Sequence, residues 1–131
     1  MTTELMILGW TLVLALVQIL LTSAFRNRET GMSYNMSARD TPAPPMGRVT
    51  ARLQRAQANL FETLPLFAAA VLVANAGGHE NGMTLLGAQL YLGARVLYLP
   101  LYAFGVPLVR SLAWVASLAG LVMILVAILT G

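Results

Sequence analysis

Arg48, Arg52, Arg55, Asn59 and Glu62 recur at intervals of 4, 3, 4 and 3 residues. At 3.6 residues per turn, those intervals put all five on one narrow helix face, with Gln57 pointing elsewhere. Tyr91, Arg95, Tyr98 and Tyr102 follow the same rule at intervals of 4, 3 and 4. Guanidinium groups such as those of Arg52, Arg55 and Arg110 hold carboxylates through paired hydrogen bonds. Glu62 and Asn59 suit an ammonium or an amide. A ligand matching these groups is small and multiply charged, with more negative than positive charge.

The elements that carry these residues are unusual hosts for charge. The 131-residue chain is 58% hydrophobic and only 10% charged, with a mean hydropathy of +0.75. Soluble domains contain about 25% charged residues and do not keep so apolar a surface in water. Residues 5–25 carry no charge, residues 83–104 carry only Arg95, and residues 111–131 carry none. Each block is long enough to cross a hydrocarbon layer about 30 Å thick. Residues 63–78 form a fourth charge-free block, which reaches full length only if its helix includes the polar stripe. Lipid leaves little alternative to helix for such blocks. The sequence therefore predicts an all-α membrane protein, a single domain over residues 1–131. Its four spans cover residues 5–25, 47–76, 83–104 and 107–130, with a loop at 26–46 rich in proline and turn formers and read as irregular. A secretory signal has a basic start and a short apolar run, whereas this chain starts "MTTE" before a long one. Cysteine is absent, which excludes disulfides and thiolate metal sites. His79, the only histidine, sits beside Glu80 in a short turn and makes no metal site, so no metal is expected.

All eight positive charges are arginine. Arg26, Arg28, Arg39, Arg48, Arg52 and Arg55 lie in or beside the first loop, and Arg110 follows the third, "FGVP". Arginine-rich loops face the cytoplasm, which predicts an up-down-up-down bundle with both termini on the outer side. Pro65 and Pro100 fall inside spans, where each frees a backbone carbonyl. With a rise of about 1.5 Å per residue, Tyr98 and Tyr102 come level with Arg52 and Arg55, and Arg95 with Asn59 and Glu62. An intramembrane charge left alone costs at least about 2.5–3.5 kcal/mol, and Arg95 is the expected partner of Glu62. Arginines near helix ends ordinarily reach back to lipid phosphates, which accounts for Arg26, Arg28 and Arg48 without any ligand, and an interfacial anchor accounts for Tyr102. Asn59, Glu62 and Arg95 lie too deep for that and require either a structural ion pair or a ligand site.

These residues resemble a known family. "RAQANLFETLPLF" (55–67) is similar to the second-helix signature of the MAPEG proteins, the membrane-associated proteins in eicosanoid and glutathione metabolism, with its pattern near R-A-x-x-N-x-x-E-x-x-P. "ARVLYLPLY" (94–102) resembles their third-helix pattern, "PLVRSLAW" (107–114) the start of their fourth helix, and "SAFRNRE" (23–29) the arginine that ends their first. The resemblance spans all four helices in order. It implies a homotrimer that binds glutathione between neighbouring subunits near the cytoplasmic face of a membrane, here of bacterial inner-membrane type. Arg55, Asn59, Glu62, Tyr98 and Tyr102 would contact glutathione, with Arg26 and Arg52 as further contacts and Arg95 supporting the acidic residue. Arg110 matches the arginine that holds the glutathione thiolate, and Ser111 stands next to it as an assistant. A nearby guanidinium favours thiolate over thiol, and the implied reaction is attack of that thiolate on a hydrophobic electrophile dissolved in the bilayer, or reduction of a peroxide. Ala58 replaces an arginine and Trp114 a tyrosine of the prostaglandin-synthase branch, and the segment between Tyr102 and Arg110 is one residue shorter. These departures argue against eicosanoid specificity.

Two other classes compete with a transferase. A non-catalytic membrane protein that binds a lipid headgroup or another anion shares every helix and most of the arginines. A small proton-coupled exporter requires a glutamate in its first span, where residues 5–25 offer only Gln18.

Overall fold

The computed structural model describes Met1–Gly131 and contains helices alone. Four are long: α1 (Thr3–Thr30), α3 (Arg48–Ala76), α4 (Gly82–Ala103) and α5 (Pro107–Thr130). Between the first two lies a single turn of helix, α2 (Met32–Asn35), within the loop expected to be irregular. Gly31, at φ +84°, turns the chain out of α1 and into it. The first helix is longer than its apolar block at both ends. It includes Glu4 in its first turn, and beyond Phe25 it continues through Arg26–Thr30, which therefore project past the hydrocarbon.

Helices α1, α3 and α5 are long and apolar enough to cross a membrane, and the chain is an integral membrane protein. Helix α4 falls short of that standard in composition, although its 22 residues reach about 33 Å. It carries Gln89, Arg95 and three tyrosines. It tolerates them because it packs against the other three long helices, so Tyr91, Arg95 and Tyr98 are all buried.

The core is made of small and branched side chains from all four long helices, gathered around Phe67 and Tyr91, both 0% exposed. Their rings stack with centroids 4.0 Å apart, and the Tyr91 hydroxyl shares a 2.8 Å hydrogen bond with Thr63 Oγ1. That contact fixes the register of α3 against α4. Helix α5 is set by glycine. A Cβ on Gly87 would lie 2.6 Å from the Gly120 carbonyl oxygen, and one on Gly120 would lie 2.5 Å from that of Gly87. Such close backbone approach is how helices pack where water exclusion gives no drive.

At the end opposite the arginines, the turn between α3 and α4 is closed by a capping box. Asn81 Oδ1 accepts from the backbone of Met83 and Thr84, and Thr84 Oγ1 accepts from the Asn81 backbone. Two bonds tie the start of α1 to this turn: Thr2 Oγ1 donates to Glu80 (2.8 Å) and Thr84 Oγ1 to the buried Glu4 carboxylate (2.9 Å).

Candidate functional site

Helices α3 and α4 run antiparallel, so their two polar stripes meet rung by rung. One step toward the arginine-rich end from the Thr63–Tyr91 bond, Arg95 Nη1 donates to Asn59 Oδ1 at 2.8 Å. The Arg95 guanidinium also lies 4.8 Å from the centroid of the Tyr98 ring. Next, Arg55 Nε donates to the Tyr102 hydroxyl at 3.0 Å. At the rim, Arg52 Nη1 reaches the carbonyl of Ala103 at 3.4 Å.

Helix α5 brings the third wall. Pro107 occupies its first turn, where a missing N–H costs nothing, and Gly105 at φ +72° makes the turn before it. A Cβ on Gly105 would lie 2.7 Å from the Arg52 guanidinium, so this glycine leaves room for the cation as well as for the turn. Arg110 then projects over the Tyr102 ring, its Cζ 4.7 Å from the centroid. Tyr98 and Tyr102 meet edge to face with centroids 5.4 Å apart. Ser111 Oγ donates to the Pro107 carbonyl at 3.1 Å.

Two small cavities open on either side of Arg110. One, about 160 Å³, is bounded by Arg52, Arg55, Tyr102, Gly105, Pro107 and Arg110. The other, about 180 Å³, is bounded by Asn59, Tyr98, Arg110, Ser111 and Trp114. Three guanidinium groups therefore face the first cavity, and none is paired with a carboxylate, because the single ion pair of the chain joins Arg26 to Glu29 (3.0 Å). Like charges gathered without a counter-ion make a site for an anion. No three histidine, aspartate or glutamate side chains come together anywhere.

The structure separates two residues from the expected cluster. Glu62 does not pair with Arg95, whose bond goes to Asn59 instead; Glu62 is exposed on the surface of the single chain. The two residues share a level, but about 60° of rotation around α3 separates Asn59 from Glu62, and the guanidinium meets the amide first. Arg26 is the second. It donates to Glu29 (3.0 Å) and to the Pro44 carbonyl (2.7 Å). With Thr50, Gln54 and Gln57 it borders another cavity of about 240 Å³, across α3 from Arg52, Arg55 and Asn59. Within one chain, Arg26 and Arg110 do not converge.

Trp114 is the member of the cavity wall that the polar stripes did not mark. Its signal was the four-residue step from Arg110, which puts both on one face of α5. Near the same end, an apolar cavity of about 320 Å³ is bounded by residues including Leu21, Phe25, Leu53, Pro100, Ala103 and Phe104. It adjoins the polar site through Ala103, whose carbonyl accepts from Arg52.

Comparison with known proteins decides the family. The sequence model of the MAPEG family matches residues 7–130, nearly the whole chain. The chain belongs to the MAPEG family. No individual curated protein and no solved structure matches it. Membership places the chain among the membrane proteins of glutathione and eicosanoid metabolism. Of the residues that carry the MAPEG signature in α3 and α4, Arg55, Asn59, Arg95, Tyr98 and Tyr102 meet along the α3–α4 seam, whereas Glu62 and Pro65 are exposed on the single chain.

Proposed function

We propose that this protein is a glutathione-dependent membrane transferase, or peroxidase, that activates the glutathione thiolate against a hydrophobic electrophile from the bilayer. The observation that carries the reading is the cavity faced by Arg52, Arg55 and Arg110 without an acidic partner. Glutathione has two carboxylates, one ammonium and one thiol, an excess of negative charge that suits three cations. In this reading Arg52 and Arg55 hold carboxylate. Arg110, fixed over Tyr102 and bordering both cavities, faces the sulfur. A guanidinium there lowers the pKa of the thiol and raises the thiolate fraction at neutral pH. Ser111 adds a hydroxyl at the same wall. The thiol proton leaves to solvent, the sulfur–carbon bond forms, and the leaving group departs with its bonding electrons. The apolar cavity next to Ala103 suits a substrate arriving from lipid.

The reading extends to the assembly. All four long helices span the membrane, with both termini outside and the arginine-rich end in the cytoplasm. Three copies associate, so that Glu62 and Arg26, each on the surface of one chain, complete a site between neighbours. Neither polar cavity exceeds about 180 Å³, below the roughly 300 Å³ at which ligand pockets begin, which supports a site completed by a second copy. A bacterial inner membrane is the setting expected for such a member.

The test is thermal stabilisation of the detergent-solubilised protein by millimolar glutathione and by S-alkyl glutathione, followed by turnover with an aryl halide. Stabilisation that grows with the alkyl chain is expected, because the tail reaches the apolar site. No stabilisation by either compound at millimolar concentration overturns the reading in favour of a non-catalytic protein that binds a lipid headgroup or another anion.

A further inference from the structure

Arg95 is the largest fully buried side chain, 1% exposed. It does not border either polar cavity, so it touches nothing that either one holds. Its guanidinium has one hydrogen-bond acceptor in the protein, Asn59 Oδ1, while Nε and Nη2 have none. Guanidinium is donor-only and permanently charged. Asn59 must therefore turn its carbonyl oxygen toward Arg95. The reversed amide would set N–H against N–H and strip a buried cation of its only acceptor.

We propose that Arg95 is a positioning residue that locks the Asn59 amide so that its NH2 group faces the Asn59–Tyr98–Arg110 cavity. Asn59 borders that cavity and, so locked, presents two donors there and no acceptor. Arg110 contributes only donors as well, and so does the Trp114 indole. Arg95 fixes a second part of the wall through Tyr98, whose ring it covers. The cavity thus selects an acceptor-rich atom, such as a carboxylate oxygen, an amide carbonyl or a thiolate. Beside the Arg110 cation it disfavours an ammonium, for which free asparagine would otherwise be suited, and leaves the hydroxyl oxygens of Tyr98 and Ser111 as the acceptors on that wall. This inference rests on the proposal that the site binds glutathione and adds which side of the asparagine the ligand meets.

The experiment measures glutathione affinity by calorimetry, and ligand-free melting temperature separately, for the full-length detergent-solubilised protein. An absence of binding in the wild type defeats the functional proposal and not the role of Arg95. If the wild type binds, Arg95→Gln is expected to weaken affinity about tenfold, the value of one hydrogen bond to a charged group, because glutamine accepts from the amide as readily as it donates. Arg95→Lys, a donor only, is expected to recover most of that loss. Asn59→Asp makes the cleaner test. Its carboxylate pairs with Arg95, so the melting temperature should hold or rise, yet it turns an acceptor into the cavity and should weaken glutathione by more than tenfold. Wild-type affinity in either Arg95→Gln or Asn59→Asp overturns the proposal, as does equal weakening by Arg95→Lys and Arg95→Gln. Should Arg95→Gln fail to fold, the Asn59→Asp affinity decides alone.

Discussion

The Tyr102 ring joins two arginines that come from different helices. Its hydroxyl accepts from Arg55 Nε at 3.0 Å, and its face lies 4.7 Å from the Arg110 guanidinium. These two contacts are separable. Tyr102→Phe removes the first and keeps the second, so it should weaken glutathione about tenfold with little change in turnover at saturation. Tyr102→Ala should lower both. Steady-state kinetics with an aryl halide read the two effects as KM and kcat.

Arg110→Ala removes the one guanidinium that borders both cavities. Loss of a group that stabilises a reacting anion costs on the order of a hundredfold in rate. Turnover should fall by about that factor, and the ultraviolet absorbance of bound thiolate near neutral pH should fall with it. Unchanged kcat would remove Arg110 from the reaction and leave it a rim cation.

Glu29 anchors the first loop, accepting from Thr50 Oγ1 (2.8 Å), the Gly47 backbone (2.9 Å) and Arg26 (3.0 Å). It lies past the end of the apolar block, at the water boundary. The Thr50 hydroxyl first, and then Arg26, hold its carboxyl below the ordinary value of 4.5. A carboxyl lowered on folding stabilises the fold above its unfolded value, and that stabilisation is lost as pH falls through the folded one. The segment 36–46 should therefore stay closed at neutral pH and open to protease only as pH falls through that lowered value. Glu29→Gln should open it at every pH, and limited proteolysis across a pH series measures both.

The parts of this fold that were legible in the sequence are those governed by periodicity. Charge-free blocks announce helices, and the two stripes on antiparallel helices place Arg55 beside Tyr102 and Asn59 beside Arg95. Rotation around the axis was less legible. Level alone matched Glu62 with Arg95, but the guanidinium reaches Asn59 first. Within one chain Arg26 sits at the same level on another face of α3, because α1 packs against α3 on the side of Thr50 and Gln57. The polar residues of α4 have a different reason. A helix sheltered by three neighbours carries Arg95 and three tyrosines without having to be apolar all round. The short helix α2 hides in a segment whose proline and turn residues say only that the long helix has ended.

Gly120 should tolerate no side chain. A Cβ there meets backbone atoms, the Gly87 oxygen at 2.5 Å and the Tyr91 nitrogen at 2.8 Å, and backbone does not move aside. Gly120→Val should cost about 1–3 kcal/mol and, by shifting α5, should weaken glutathione too. Gly93→Ala is the control: nothing lies within 4 Å of its Cβ, and alanine favours helix over glycine by about 1 kcal/mol. Melting temperatures in detergent compare the two.

Glu62 is the residue whose surroundings one chain does not explain. It lies about a turn deeper than Asn59, exposed, on a helix apolar enough to cross the membrane. A carboxylate facing hydrocarbon at that depth costs about 2.5–3.5 kcal/mol, so under the proposed function a second copy or a ligand is expected to cover it. If both do, carbodiimide should modify Glu62 slowly in the assembled protein and more slowly still with glutathione bound. Glu62→Gln should keep the fold and its melting temperature, because no bond within the chain is lost, while glutathione no longer stabilises it. Rapid modification of Glu62, equal with and without glutathione, would place this carboxylate outside the site and leave the arginine-faced cavity to act without it.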